Sequence, residues 1–286
     1  MDKEILDCVA FVLYKDHSGN FQYVGTAFFV GEYVKEIDRT FTYIVTAKHV
    51  VVGIKKAKND GSLYLRINTK DGNVVYAPSK LEAWEFHTDP YVDAAVFYGT
   101  PVNHNEYYKV VPLVTFATNE IIQKNKIGIG DTVYITGLFV NHFGKKINSP
   151  ILRAGNIAMM PTEPVQAKLG DEKVPMEAYL VECRSIGGLS GSPVFVRLDH
   201  LKERIVTIPS VEHYNLLGIA QGHWDQSIYK EEDLPISDIN EVLTKEAVNK
   251  GVSIVTPISK VLDIIQQDNI KSQRIKAEKE YREKLK

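Results

Sequence analysis

Cysteine is scarce in this sequence: only Cys8 and Cys183 occur among 286 residues. Two cysteines cannot form the set of several disulfides that holds many small secreted domains together. They are also too few for a zinc site, and no His-Glu-x-x-His motif occurs. We therefore expect no bound metal, and two reduced, buried thiols in preference to a single disulfide.

Long apolar runs and an excess of one charge are missing too. The longest apolar pieces, around residues 42–52 and 130–140, fall short of the roughly 18 apolar residues of a membrane span. Residues 1–5 are acidic and mixed, unlike an export signal. Because 34 Lys and Arg nearly balance 36 Asp and Glu, no basic surface for nucleic acid is indicated. We expect a cytoplasmic protein that binds neither nucleic acid nor membrane.

What the sequence does contain is a series of short runs rich in Val, Ile, Tyr and Phe. Runs of this kind, broken by Gly, Pro, Asn and Asp, predict about a dozen strands joined by loops, which is typical of sandwiches and barrels. A seam at residues 111–130 separates two series, and residues 119–126 predict a helical turn. The predicted strands cover residues 8–14, 21–30, 42–46, 62–67, 74–77 and 94–99, then 132–137, 151–158, 178–183, 193–197, 216–221 and 253–255.

Two clusters of turn-forming residues and the last segment complete the outline. Asp71-Gly72-Asn73 and Asn59-Asp60-Gly61 predict hairpin-type turns, because Gly and Asn accept positive φ. Residues 259–267 predict a helix with Val261, Leu262, Ile264 and Ile265 on one face. From residue 271 nearly every side chain is charged, which fits either a solvated helical tail or a docking segment for a partner.

Three segments carry residues that could perform chemistry. An apolar run ends in Thr46-Ala47-Lys48-His49, Asp93 heads the apolar run 94–97, and Ser190 lies within Gly187-Gly188-Leu189-Ser190-Gly191-Ser192-Pro193. Taken singly, each signal is weak, because a lone His or a Gly/Ser loop is commonly structural. Together they place His, Asp and Ser in that order, with about forty and then a hundred residues between them.

With these motifs the chain resembles the chymotrypsin-like (trypsin-like) serine proteases, and it looks closest to their bacterial members. The resemblance covers roughly residues 8–268. It implies an all-β fold of two antiparallel six-stranded β-barrels with a C-terminal helix. On this basis residues 1–118 form a first barrel with His49 and Asp93, residues 119–258 a second barrel with Ser190, and residues 259–286 a helix and charged tail.

The resemblance also implies a role for each residue of the triad. Ser190 attacks the scissile carbonyl, His49 takes and returns its proton, and Asp93 orients the imidazole. The N–H groups of Gly188 and Ser190 would form the oxyanion hole. We therefore predict a serine endopeptidase that acts through an acyl-enzyme on a peptide or protein substrate, without a cofactor. The alternative is a catalytically silent pseudoprotease that serves as a binding or scaffolding module.

The chain departs from its secreted relatives in ways that bear on regulation and specificity. Val50 replaces a cysteine, and Leu189 stands where zymogen-activated relatives carry an Asp, so activation by N-terminal cleavage is not expected. A regulatory protein partner that restrains the proteolytic activity would take the place of such a zymogen switch. By the resemblance, Arg184 falls at the position of the pocket floor and Gln221 and His223 on the strand that flanks the pocket, which favours an acidic or polar P1 residue. The open alternative is that Arg184 points to solvent and the pocket is small or apolar.

Overall fold

The chain forms an eight-stranded β-sheet, then a closed six-stranded β-barrel, and ends in two helices. The computed structural model describes residues 4–57, 59–99, 105–169, 172–183, 187–198, 214–223 and 251–284. The strands of the first half are β1 (Val9–Lys15), β2 (Phe21–Val34), β3 (Arg39–Thr46), β4 (Ser62–Asn68), β5 (Val74–Lys80), β6 (Glu85–Phe86), β7 (Ala95–Tyr98) and β8 (Val111–Pro112). Those of the second half are β9 (Thr132–Gly137), β10 (Ile151–Met159), β11 (Val165–Leu169), β12 (Glu172–Met176), β13 (Tyr179–Glu182), β14 (Pro193–Arg197), β15 (Tyr214–His223) and β16 (Val252–Pro257). The helices are α1 (Glu4–Asp7), α2 (Lys48–Lys56), α3 (Asn119–Lys124), α4 (Ser259–Ile265) and α5 (Asp268–Lys284).

The second half closes into the six-stranded barrel expected from the sequence. Its strands follow the order β10-β13-β16-β15-β14-β9, and β9 pairs with β10 to complete the circle. All six pairings are antiparallel. The hairpin β11–β12 forms a separate small sheet beside this barrel.

The first half does not show the second closed barrel that we predicted. It forms an eight-stranded sheet in the order β5-β4-β1-β2-β3-β7-β6, with β8 paired to β2. No pairing between the end strands β5 and β6 appears in the described part of the chain. The sheet is also not purely antiparallel, because the two-residue strand β8 runs parallel to β2.

Apolar side chains from both halves share one large buried cluster. Val51 and Leu65 of the first half belong to the same buried cluster as Val194 and Leu216 of the second. A contact network of this kind fixes the two sheets against each other, so that loops at their junction have a defined geometry. Cys8 and Cys183 are both buried, reduced thiols, as expected.

Several local predictions need correction or extension. Asp71-Gly72-Asn73 joins β4 to β5 as a hairpin, with φ of Gly72 at 79°. Asn59-Asp60-Gly61 instead links helix α2 to β4, so it is not a hairpin turn. The predicted C-terminal helix is interrupted after Ile265, and the charged segment continues as α5.

The C-terminal helices lie against the first sheet. Val261, Ile264 and Ile265 of α4 are buried, and Leu262 is half-buried. In α5, Ile270 is buried and Arg274 forms an ion pair with Glu32 of β2, with Nε 3.3 Å from Oε2. The start of the charged tail is therefore docked on its own chain. Among the helices that the structure describes, none is long and apolar enough to cross a membrane.

Candidate active site

His49 lies at the start of a helix, directly after a central strand. Strand β3 pairs with β2 and β7 and is buried from Phe41 to Thr46, so its end is firmly placed. Ala47 caps helix α2, which begins at Lys48. The sequence did not predict this helix. Its apolar residues Val50, Val51 and Ile54 pack into the core, and this anchors the backbone that carries His49.

Asp93 binds both the side chain and the main chain of His49. The carboxylate is fully buried in the segment that leads into β7. Its Oδ2 accepts from His49 Nδ1 at 2.7 Å, and its Oδ1 accepts from the backbone N–H of His49 at 2.8 Å. With a carboxylate on Nδ1, that nitrogen carries the proton, and Nε2 is left as the nitrogen that can accept one.

Asp89, four residues before Asp93, has a structural role. Its Oδ1 accepts from the N–H of Tyr91 at 2.9 Å, and its carbonyl accepts from the N–H of Val92 at 3.2 Å. These bonds close the turn that presents Asp93.

The electrostatics of the pair favour a proton on His49. Burial of the imidazole lowers its pKa, but the charge of Asp93 and the hydrogen bond to it raise that pKa by more. The net result is a His49 pKa above its ordinary value of 6.5. A raised pKa makes the imidazole a stronger base, as a general base that takes a hydroxyl proton requires.

Ser190 lies in a glycine-rich loop that leads into β14. Gly188 and Gly191 adopt φ of 100° and 85°, a backbone conformation that other residues rarely accept. The N–H of Ser192 donates to the carbonyl of Leu189 at 3.0 Å, and the N–H of Gly191 donates to the carbonyl of Ala220 at 2.8 Å. The loop is thus tied to itself and to β15.

The hydroxyl of Ser190 does not bond to His49 in this structure. Its Oγ donates to the carbonyl oxygen of Gln221 at 3.0 Å. The loop nevertheless lies against the segment that precedes His49. A Cβ added at Gly191 would come within 2.3 Å of Thr46 Oγ1 and 3.1 Å of Ala47 N.

Among the described residues, the two candidate oxyanion donors have no backbone acceptor. Within the described residues, neither the N–H of Gly188 nor that of Ser190 donates to a carbonyl. The Ser190 N–H shares a peptide with the Leu189 carbonyl, which points to Ser192. Because C=O and N–H of a trans peptide point in opposite directions, this N–H faces away from Ser192. Leu189 itself is buried in the apolar core.

Thr26 of β2 is the residue at this junction that the sequence did not reveal. Its N–H donates to the carbonyl of Ser190 at 2.9 Å. Its Oγ1 donates to the carbonyl of Gly188 at 2.9 Å and accepts from the N–H of Leu138 at 2.9 Å. A threonine in an alternating strand carries no signal of such contacts, because its partners are more than a hundred positions away.

The predicted substrate-binding residues are only partly described. Arg184 lies outside the described residues, and His223 forms the end of β15. The Gln221 side chain is buried, with Nε2 3.5 Å from Met176 Sδ. Its main chain, through the carbonyl bonded to Ser190, is therefore the part that faces the candidate nucleophile.

Comparisons with known proteins add no relative to this description. No protein-family model matches the chain, and no curated protein matches its sequence. The described residues also contain no group of three or more His, Cys, Asp or Glu side chains that could hold a metal ion. Among the described residues, His49, Asp93 and the Ser190 loop are the groups that define the candidate site.

Proposed function

We propose that the chain is a serine endopeptidase that uses Ser190, His49 and Asp93. The observation that carries the proposal is the pair of hydrogen bonds that buried Asp93 makes to His49, directly beside a loop that presents a serine between two glycines of positive φ. A buried carboxylate bound to an imidazole is costly to maintain without a role for it. In this proposal the eight-stranded sheet is the counterpart of the first barrel of chymotrypsin-like proteases.

The proposed reaction is hydrolysis through an acyl-enzyme. Ser190 Oγ bonds to the substrate carbonyl carbon while its proton moves to His49 Nε2, and the oxyanion accepts from the N–H groups of Gly188 and Ser190. The C–N bond then breaks as His49 gives that proton to the leaving amine. Water repeats the sequence on the ester and releases the acid and free Ser190. Rotation of Oγ away from the Gln221 carbonyl must come first.

A pseudoprotease is the second candidate, and one observation favours it. The Ser190 hydroxyl is engaged by Gln221 and not by His49. If that bond persists, the chain holds the residues of a triad without a reactive serine. A partner-gated enzyme would share this resting arrangement but lose it when the partner or substrate binds.

The test is covalent labelling by a fluorophosphonate probe, together with digestion of a pooled peptide library. The wild type is compared with Ser190→Ala and His49→Ala. We expect labelling of the wild type at Ser190, none of Ser190→Ala, and cleavage that follows the labelling. Absence of both in the folded wild type would support the pseudoprotease. The P1 residues of the cut peptides test the predicted acidic or polar preference, which preferential cleavage after Lys or Arg would exclude.

A further inference from the structure

Thr26 contacts the loop of the candidate nucleophile at two points. Its N–H holds the Ser190 carbonyl and its Oγ1 holds the Gly188 carbonyl, each at 2.9 Å. The Ser190 N–H belongs to the peptide between residues 189 and 190. The two carbonyls belong to the neighbouring peptides, 188–189 and 190–191. One residue of the first sheet thus brackets the peptide that provides a proposed oxyanion donor.

The direction of the Thr26 hydroxyl proton is determined by its partners. The N–H of Leu138 is a donor, so Thr26 Oγ1 accepts there. The hydroxyl proton is then free to go only to the Gly188 carbonyl. Thr26 is fully buried, so water does not compete for the hydrogen bond between its hydroxyl and the Gly188 carbonyl.

Three glycines make room for these contacts. A Cβ at Gly137 would lie 2.6 Å from Thr26 Oγ1, and one at Gly191 would lie 2.2 Å from the Thr26 carbonyl oxygen. A Cβ at Gly25 would lie 2.9 Å from the Ser190 carbonyl oxygen. The close approach of β2, β9 and the Ser190 loop therefore depends on the absence of side chains at these three positions.

We infer that Thr26 is a positioning residue for the oxyanion hole. Its side-chain hydroxyl fixes the Gly188–Leu189 peptide and so keeps the oxyanion hole open. This inference rests on the proposed function. Without the hydroxyl, that peptide can rotate about the flexible Gly188, and the N–H groups of Gly188 and Ser190 are no longer held in a fixed orientation to each other. The effect falls on the reaction step and not on the binding of substrate, because charge on the oxygen develops only in the transition state.

The experiment compares Thr26→Val with Thr26→Ser, using saturable inactivation by a fluorophosphonate probe. The valine has the shape of threonine without its hydroxyl, and the serine retains both hydrogen bonds. We expect Thr26→Val to lower the maximal inactivation rate about ten- to a hundredfold while the concentration for half-maximal rate changes less than about threefold. Thr26→Ser should stay near the wild type.

A matched control separates positioning from loss of stability. Ser79 is a buried hydroxyl in the same sheet that also donates to a carbonyl, that of Leu63, and accepts from an N–H, Nε1 of Trp84. Ser79→Ala should lower the melting temperature but leave the inactivation rate near the wild-type value. If Thr26→Val folds poorly, Thr26→Ala removes the same hydroxyl without placing a methyl group against Leu138, and the same fall in rate is expected.

The outcomes distinguish this inference from the proposed function. Failure of the wild type to label would contradict the proposed function itself. A labelled wild type with an unchanged Thr26→Val rate, or an equal loss in Ser79→Ala, would overturn only the role of Thr26. The pH at half-maximal rate should be the same in Thr26→Val and the wild type, and a displacement would show that the substitution acts through His49 instead.

Discussion

Arg66 and Asn148, 82 positions apart in the chain, meet in the interior, where Nη1 of the guanidinium donates to Oδ1 of the amide at 2.8 Å. Asn148 returns a bond from Nδ2 to the Arg66 carbonyl at 2.7 Å. The guanidinium also donates to the carbonyls of Phe143, Gly144 and Lys145, at 3.1, 2.8 and 3.1 Å. A buried cation on the first sheet is thus surrounded by neutral oxygens of the loop between β9 and β10.

That loop is expected to open when Arg66 is replaced. Arg66→Met removes the four hydrogen bonds that Nη1 and Nη2 donate to this loop and should destabilise the protein by about 3 kcal/mol. Lys145 and Lys146 are exposed in the loop, so trypsin should cut there faster in Arg66→Met. Limited digestion in a Ser190→Ala background checks this without self-cleavage. Arg66→Lys keeps the positive charge but not the planar set of guanidinium donors, so its rate of digestion should lie between those of the parent and Arg66→Met. Equal digestion rates for Arg66→Met and the Ser190→Ala parent would show that the Arg66 hydrogen bonds do not hold the loop closed.

The pH dependence of Ser190 labelling should report the raised His49 pKa. Labelling needs a neutral imidazole, so half-maximal rate is expected above pH 6.5, the ordinary value. Asp93→Asn removes the carboxylate charge and the hydrogen bond to it that raise the His49 pKa, whereas the burial that lowers this pKa remains. The midpoint of the labelling profile should therefore move to lower pH, and the labelling rate should fall about 10⁴-fold. A wild-type midpoint at or below 6.5 would contradict the described electrostatics.

The same raised pKa has a consequence for stability with a definite sign. Because folding raises the His49 pKa, the folded state binds the proton more tightly than the unfolded chain. The resulting stabilisation is fully present below the ordinary pKa of histidine and is lost as pH rises through the folded pKa. Urea unfolding of Ser190→Ala across this range should show the decrease, and Ser190→Ala/His49→Gln should not.

Gly191 should be intolerant of any side chain. A Cβ there would lie 2.2 Å from the Thr26 carbonyl oxygen, and its φ of 85° is strained for other residues. We expect Gly191→Ala to lower the free energy of unfolding by about 3 kcal/mol. Gly187 is the matched control, because a Cβ added there meets nothing within 4 Å. Gly187→Ala should change stability by less than about 0.5 kcal/mol in the same urea titration.

Two isoleucines of α5 test whether the helix is docked. Ile270 is 1% exposed and Ile275 is 49% exposed. Ile270→Ala should destabilise the protein by about 3 kcal/mol, and Ile275→Ala by less than about 0.5 kcal/mol. Thermal or urea unfolding of both variants makes the comparison. Similar small effects would show that α5 is a solvated tail.

The strands were predictable because their signal is local. Residues 132–137 and 193–197 were predicted with the observed bounds, since alternation and turn residues fix both ends. The hairpin β11–β12 was missed because its strands are short and polar. Helix α2 was missed because Val50-Val51-Val52 favours a strand by propensity, and tertiary packing of its apolar face decides otherwise.

The site was predictable only as far as motifs reach. The order and spacing of His49, Asp93 and Ser190 were visible in the sequence, and the structure brings His49 and Asp93 into contact. Thr26 and Arg66 could not be inferred, because their partners are set by the packing of the two halves. A charged residue in an apolar strand gives no indication that it turns inward to meet a loop 77 residues away.

The ion pair between Glu32 and Arg274 joins residues 242 positions apart and therefore imposes a time order on assembly. Hairpins such as β1–β2 and β4–β5 close short loops, whereas this contact must close a very long one at a higher entropic cost. A chain emerging from the ribosome at about 5–20 residues per second exposes His49 and Asp93 many seconds before Arg274 is made. The contact that α5 makes with the first sheet can therefore form only after the residues of that sheet have already been made and have had time to pair.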